Sequence, residues 1–188
     1  MKMSEGKERR GKYRRFSDRR IAVMLELHER LFDLEPGRAR DEALLDILRD
    51  DFDTDLAAFL RRRGAGDESE LVLFASSSTE PPTIEVFSGV GLRELLDVQQ
   101  ETTGAITLTR FRRPSVIEEM IWESLWAEDL GAIEATGLLT VSVVPERAEP
   151  FFIWLVLSGS SREWTSHDRD LAEEAANLIA RASDKALR

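Results

Sequence analysis

The chain of 188 residues contains no cysteine. That excludes a disulfide framework, a thiol nucleophile, thiolate-bound zinc and iron–sulfur clusters. Histidine is nearly as scarce: His28 and His167 are the only two, so no site of several imidazoles can form within one chain. No apolar run approaches the roughly 18–20 residues that span a bilayer. The opening MKMSEGKERR has no apolar segment of the signal-peptide kind. The expectation is a soluble, cytoplasmic protein that does not engage membranes.

What is present is ordinary for a globular domain. Hydrophobic residues make up 42% of the chain, enough for a real core. The net charge of −10 is unevenly spread. Residues 1–20 carry nine Lys/Arg against three Asp/Glu, while the rest carries 17 against 33. An acidic body is a poor match for a phosphate backbone, so nucleic acid is not the expected partner. Residues 1–17 read as a basic, flexible arm that could still touch an acidic surface. Residues 18–188 read as one domain, with no internal repeat.

Periodicity places the elements. Ser17 can cap a helix over 18–34, with Ile21, Met24, Leu25, His28, Leu31 and Phe32 at helical spacing. Pro36-Gly37 ends it, and a second helix follows over 38–52. DLAAFLRRR and ELVLFAS read as a hairpin around GAGD. TIEVFS (83–88) is a third strand, GVGLRELLDVQQETTG a short helix, and AITLTRF (105–111) a fourth strand. Ser115 and Glu118 form a capping box for a helix that Gly131 stops. GLLTVSVVPE and PFFIWLVLSG are the two strongest strands, and a last helix covers 166–187. The order predicts an α+β fold, a six-stranded antiparallel sheet flanked by helices.

Ser166, His167 and Asp168 stand side by side in WTSHDRDL, but a triad is defined by geometry, not adjacency. No G-x-S-x-G elbow exists. Thr165 or Ser166 with Asp168 reads as a capping box for the last helix. The acidic DDFDTD at 50–55 lacks the spacing of a calcium loop and reads as a solvated helix end. Gly89-Val90-Gly91 is too short to cradle a phosphate. No catalytic residue and no metal ligand set is nominated.

The chain resembles a GAF domain over about residues 37–187. The resemblance rests on LLTVSVVP, then FFIWLVLSG, then REWTSHDRDLAEEAANLIARA, and on Thr103-Gly104 before AITLT. Arg110 stands where the family often has an Asp. The resemblance implies N-terminal and C-terminal helices packed together. It also implies a ligand pocket between one sheet face and the segments joining the middle strands. Candidate lining residues are Phe87, Phe111, Met120, Ile121, Trp122, Leu125, Trp126, Thr140, Ser142 and Trp154. It further implies a homodimer seam from Ile21, Met24, Leu25, Leu31, Phe32, Leu171, Leu178 and Ile179, although these could instead cover the protomer's own sheet.

The chemistries of the family narrow against the residues. Methionine sulfoxide reductase activity and thiol attachment of a bilin both need the missing cysteine. The Asn-Lys-x-x-x-Phe motif of cyclic-nucleotide binders is absent, because the single Asn, Asn177, lies in the last helix. Haem would need an axial histidine, and neither His28 nor His167 is well placed. No cofactor is expected. The leading expectation is a non-enzymatic sensory or regulatory domain of bacterial-type signalling, binding a small molecule or a protein partner. A ligand-free dimerisation module and a nucleic-acid-associated regulator using the basic arm are the alternatives.

Overall fold

The computed structural model describes residues 16–63, 70–77, 83–87, 90–101, 104–112, 119–132, 134–158 and 162–185. The basic stretch 1–15 and the capping box at Ser115 and Glu118 lie outside them. Six strands form one antiparallel sheet: β1 Leu56–Arg63, β2 Glu70–Ser77, β3 Thr83–Phe87, β4 Ile106–Thr109, β5 Ala135–Val143 and β6 Phe151–Ser158. Their spatial order is β3-β2-β1-β6-β5-β4. The helices are α1 Phe16–Asp33, α2 Arg38–Phe52, α3 Val90–Glu101, α4 Glu119–Ser124, α5 Leu130–Ala132 and α6 Ser166–Lys185. A π-helical turn, Leu125–Asp129, joins α4 to α5.

Both faces of the sheet are covered, so its central strands are apolar on both sides. In β1, Ala57 and Phe59 enter one core while Ala58 and Leu60 enter the other. The register keeps each face consistent across strands: Phe59 pairs with Ile153, and Ala58 with Trp154. This explains why β6, with seven successive buried residues, reads as a continuous apolar run and not an alternating one.

The first face is covered by α1, α2 and α6. Leu44, Leu45, Leu48 and Phe52 of α2 and Leu171, Ala175 and Ile179 of α6 share one core with Phe59, Val141 and Ile153 of the sheet. The terminal helices pack together as expected. Arg20 of α1 forms a bidentate pair with Glu174 of α6, and Arg19 lies 3.6 Å from Asp168. Asp53 ends α2 in the left-handed conformation at φ 52°, and Asp55 accepts a hydrogen bond from the Ser158 amide at 2.7 Å. The acidic 50–55 segment is thus a helix end and a strand tie.

Some boundaries differ from expectation. Ser17 stands inside α1, not before it. The inward stripe of α1 is Val23, Leu27 and Leu31. The helix carries two apolar stripes, and periodicity alone could not say which faces the core. Gly131 does not stop its helix: Glu134 takes the left-handed position at φ 50°, and Gly131 serves the π turn. A Cβ there would lie 2.5 Å from the Trp126 carbonyl oxygen.

Candidate functional site

The second face is covered by α3 and by α4 with its π turn. Its core joins Leu95 and Leu96 of α3 to Leu125 and Leu130, over Leu138, Phe152, Trp154 and Val156. One cross-strand row runs through its centre. Ala75 pairs with Ala58, Ala58 with Trp154, Trp154 with Thr140, and Thr140 with Ile106. Two alanines beside a tryptophan keep the row shallow on one side of the indole.

This layer carries polar atoms that a filled core does not need. The side chains of Trp154, Thr140 and Gln99 are buried. Among the described residues, Trp154 Nε1, Trp126 Nε1, Thr140 Oγ1 and Gln99 Oε1 have no hydrogen-bond partner. Each such group costs about 1–3 kcal/mol relative to its hydrated state. Gln99 Nε2 is committed: it donates to the Gly104 carbonyl at 2.8 Å. Ser142 Oγ donates to the Gln99 carbonyl at 3.5 Å, which brings β5 and α3 together. Trp122 and Trp126 meet edge to face with centroids 5.4 Å apart. Trp126 sits on the π turn, a feature frequent at functional sites because it re-aims side chains within a helix.

Gly104 links this layer to the terminal helix. Its φ of 108° suits glycine, and a Cβ would lie 2.8 Å from Glu173 Oε1. The next amide, Ala105, donates to that same carboxylate oxygen at 2.8 Å. Gly104 therefore marks where α6 approaches the start of β4; Thr103 of the pair noted in the sequence lies outside the described residues.

No family model matches the chain, and no curated protein matches it. Solved structures do. A protein in its far-red absorbing dark state with bound biliverdin IXa aligns with 90% of this chain and 99% of its own, at TM-score 0.67 and 11% identity. The chromophore-binding domain of a Stigmatella aurantiaca bacteriophytochrome aligns at TM-score 0.68 and 15% identity, over 88% of this chain and 60% of that one. The A. aeolicus nlh2 GAF domain, in an inactive state, aligns at 0.58 and 11%, over 91% of this chain and 99% of its own. The fold is that of a GAF domain. This chain spans less than two thirds of the bacteriophytochrome chain it matches.

On the GAF fold the expected lining residues divide. Leu125, Trp122, Trp126, Thr140 and Trp154 all belong to the second layer, and Ser142 joins it through Gln99. Phe111 and Met120 do not, at 82% and 74% exposed. Strand β4 ends at Thr109, so Phe111 falls in the following turn. Met120 lies on the outer side of the first turn of α4. The side chains of Phe87 and Ile121 lie outside the described residues. Gln99 was missed because a lone glutamine in a short helix carries no pattern.

The expected dimer residues divide as well. Leu31, Leu171 and Ile179 are buried in the chain's own core, and Met24 and Leu178 pack against it. They cover the sheet of their own chain. Ile21, Leu25 and Phe32 stay outward, at 59%, 59% and 50% exposed. His28 stacks on Phe32 with centroids 4.3 Å apart, completing a stripe at 21, 25, 28 and 32.

The Ser-His-Asp run is a cap. Asp168 is buried, its Oδ2 accepting from the Thr165 amide at 3.0 Å and hydroxyl at 2.9 Å, while its own amide donates to Thr165 Oγ1 at 3.1 Å. Arg162 Nη2 donates to Asp168 Oδ1 at 3.2 Å. Ser166 and His167 face solvent. Among the described residues no group of three His, Asp or Glu is placed to hold a metal ion, and no helix is long and apolar enough to cross a membrane.

Proposed function

We propose that the chain is a non-enzymatic sensory or regulatory domain that binds a small molecule between the second face of its sheet and helices α3 and α4. The observation that carries this is the set of four buried polar atoms without partners on that face. Native proteins retain such groups rarely, and a ligand is one reason to keep them. The π turn beneath Trp126 and the aromatic surround support the same reading. So does the fold, since a similar structure is described with biliverdin IXa bound.

The output would leave through the termini. Gln99 holds the Gly104 carbonyl, and the next amide holds Glu173 of α6. A ligand that moves Gln99 shifts this junction and, with it, the packing of α6 on α1. Pairing of two copies through Ile21, Leu25, His28 and Phe32 would pass that shift onward, since their spacing of four, three and four is that of a two-stranded seam. The same stripe favours the second reading, a dimerisation module with a filled core.

Native mass spectrometry of protein purified without added ligand tests both. A dimer carrying a small adduct that denaturation releases is the expected result. A dimer without an adduct favours the second reading, and an adduct-free monomer speaks against both.

A further inference from the structure

We infer that α1 is a docking surface for a second copy of this chain lying antiparallel to it, with the basic arm of each copy against the acidic end of the other's α1. This deepens the reading that two copies pair through the outward stripe of α1, and rests on it. Helix α1 packs on α2 and α6, so its far side faces outward. Ile21, Leu25, His28 and Phe32 are exposed on that side, and Val23, Leu27 and Leu31 fill the inner one. Helical rotation puts the four outward residues within about 60° of one another, the width of a two-stranded seam. Apolar contact alone does not fix direction. Turning the second helix end for end about a midpoint near residues 26–27 sets Ile21 against the second copy's Phe32, and Leu25 against its His28. A parallel pair sets each residue against itself.

Charge selects the antiparallel direction. Residues 1–15, which precede α1, hold seven Lys/Arg and two Asp/Glu, whereas residues 26–35 hold four Asp/Glu and one Arg. Glu29, Asp33 and Glu35 are exposed at that end. Helix α1 has 18 residues, about 27 Å at 1.5 Å per residue, so its ends lie well beyond a screening length of about 8–10 Å. A parallel pair would bring two basic arms together and two acidic ends together. The antiparallel pair sets basic against acidic twice. Lys185 of α6 adds a local contact, its Nζ 4.9 Å from the centroid of the Phe32 ring. Asp18 is exposed one turn before Ile21, so in the antiparallel pair it comes within reach of the second copy's Lys185. In a parallel pair two Lys185 ammonium groups would face each other. Four side chains bury far less than the roughly 800 Å² per partner of a standard interface, so the pair is weak and depends on charge.

With no native cysteine, introduced thiols have no competitor. Ile21→Cys and Phe32→Cys, each in the full chain, are oxidised alone and as a mixture. The expected result is a disulfide-linked dimer in the mixture and almost none from either variant alone. Like positions of the antiparallel pair sit about 16 Å apart along the axis, and a disulfide needs Cα atoms within about 7 Å. Linking falls about fivefold or more in about 1 M salt. Sedimentation of chains without cysteine reads the charges: Asp18→Lys and Lys185→Glu each weaken association about three- to tenfold, and the double variant recovers most of the loss. Disulfides from the unmixed variants would show a parallel pair, overturning the inference and leaving pairing through α1 standing. A double variant that recovers nothing also overturns it. So does tighter association after removal of residues 1–15, which would show the arm covering the acidic end of its own chain. A monomer at every concentration with no cross-link overturns both the direction and the pairing. The small-molecule reading is judged separately by the adduct mass.

Discussion

The two faces of the sheet are built to different rules. On the first, three long helices close the layer and ion pairs tie it, Arg20 with Glu174, Asp168 with Arg162 and Arg61 with Asp41, while Arg40 Nε and Trp164 Nε1 lack partners among the described residues. On the second, two shorter helices close a layer whose central row contains a threonine and a tryptophan without partners, and one helix widens into a π turn. The first face is organised for stability and for joining the termini. The second holds four buried polar atoms without partners among the described residues, the set on which the proposed ligand site rests.

The largest effect that sharpens this contrast comes from paired truncations. Leu48 and Leu96 are both fully buried, one on each face. Leu48→Ala is expected to lose about 4 kcal/mol and Leu96→Ala about 2 kcal/mol in urea unfolding, because a layer closed by shorter helices collapses around the cavity more readily. Equal losses would break the contrast. Asp168→Asn comes next, at about 2–3 kcal/mol, since it weakens the cap of α6 and leaves Arg162 and Arg19 without their carboxylate. Gly131→Ala should cost about 1–2 kcal/mol through the close approach to the Trp126 carbonyl. Its signature is local: the Trp126 indole signal moves and Trp164 does not. The smallest change in folding stability, under about 0.5 kcal/mol, is expected for Leu25→Ser with Phe32→Ser. Light scattering would then show whether loss of this outward stripe leaves a monomer.

Much of the fold was legible because its signals are local and strong. The nine- and eight-residue runs of β5 and β6, the Thr165–Asp168 cap and the helix–strand order all follow from spacing. The site was only partly legible. Trp126, Thr140 and Trp154 came from resemblance of the element order. Phe111 failed because strand ends are poorly marked in sequence. Met120 failed because apolar residues also occupy outer helix positions. Gln99 carried no periodic signal at all. Which stripe of α1 faces inward was hidden for a different reason: both stripes are apolar, and only the register of α1 against α2 and α6 selects Val23, Leu27 and Leu31.

The central claim is that the second face holds polar groups whose partners come from a ligand and not from the protein. Thermal unfolding of ligand-free Thr140→Val against the unaltered chain tests it most directly. Valine keeps the shape and removes a buried hydroxyl that makes no hydrogen bond. The account predicts a protein about 1 kcal/mol more stable. A less stable protein would contradict it, by showing that the hydroxyl is already satisfied and that this layer is an ordinary core.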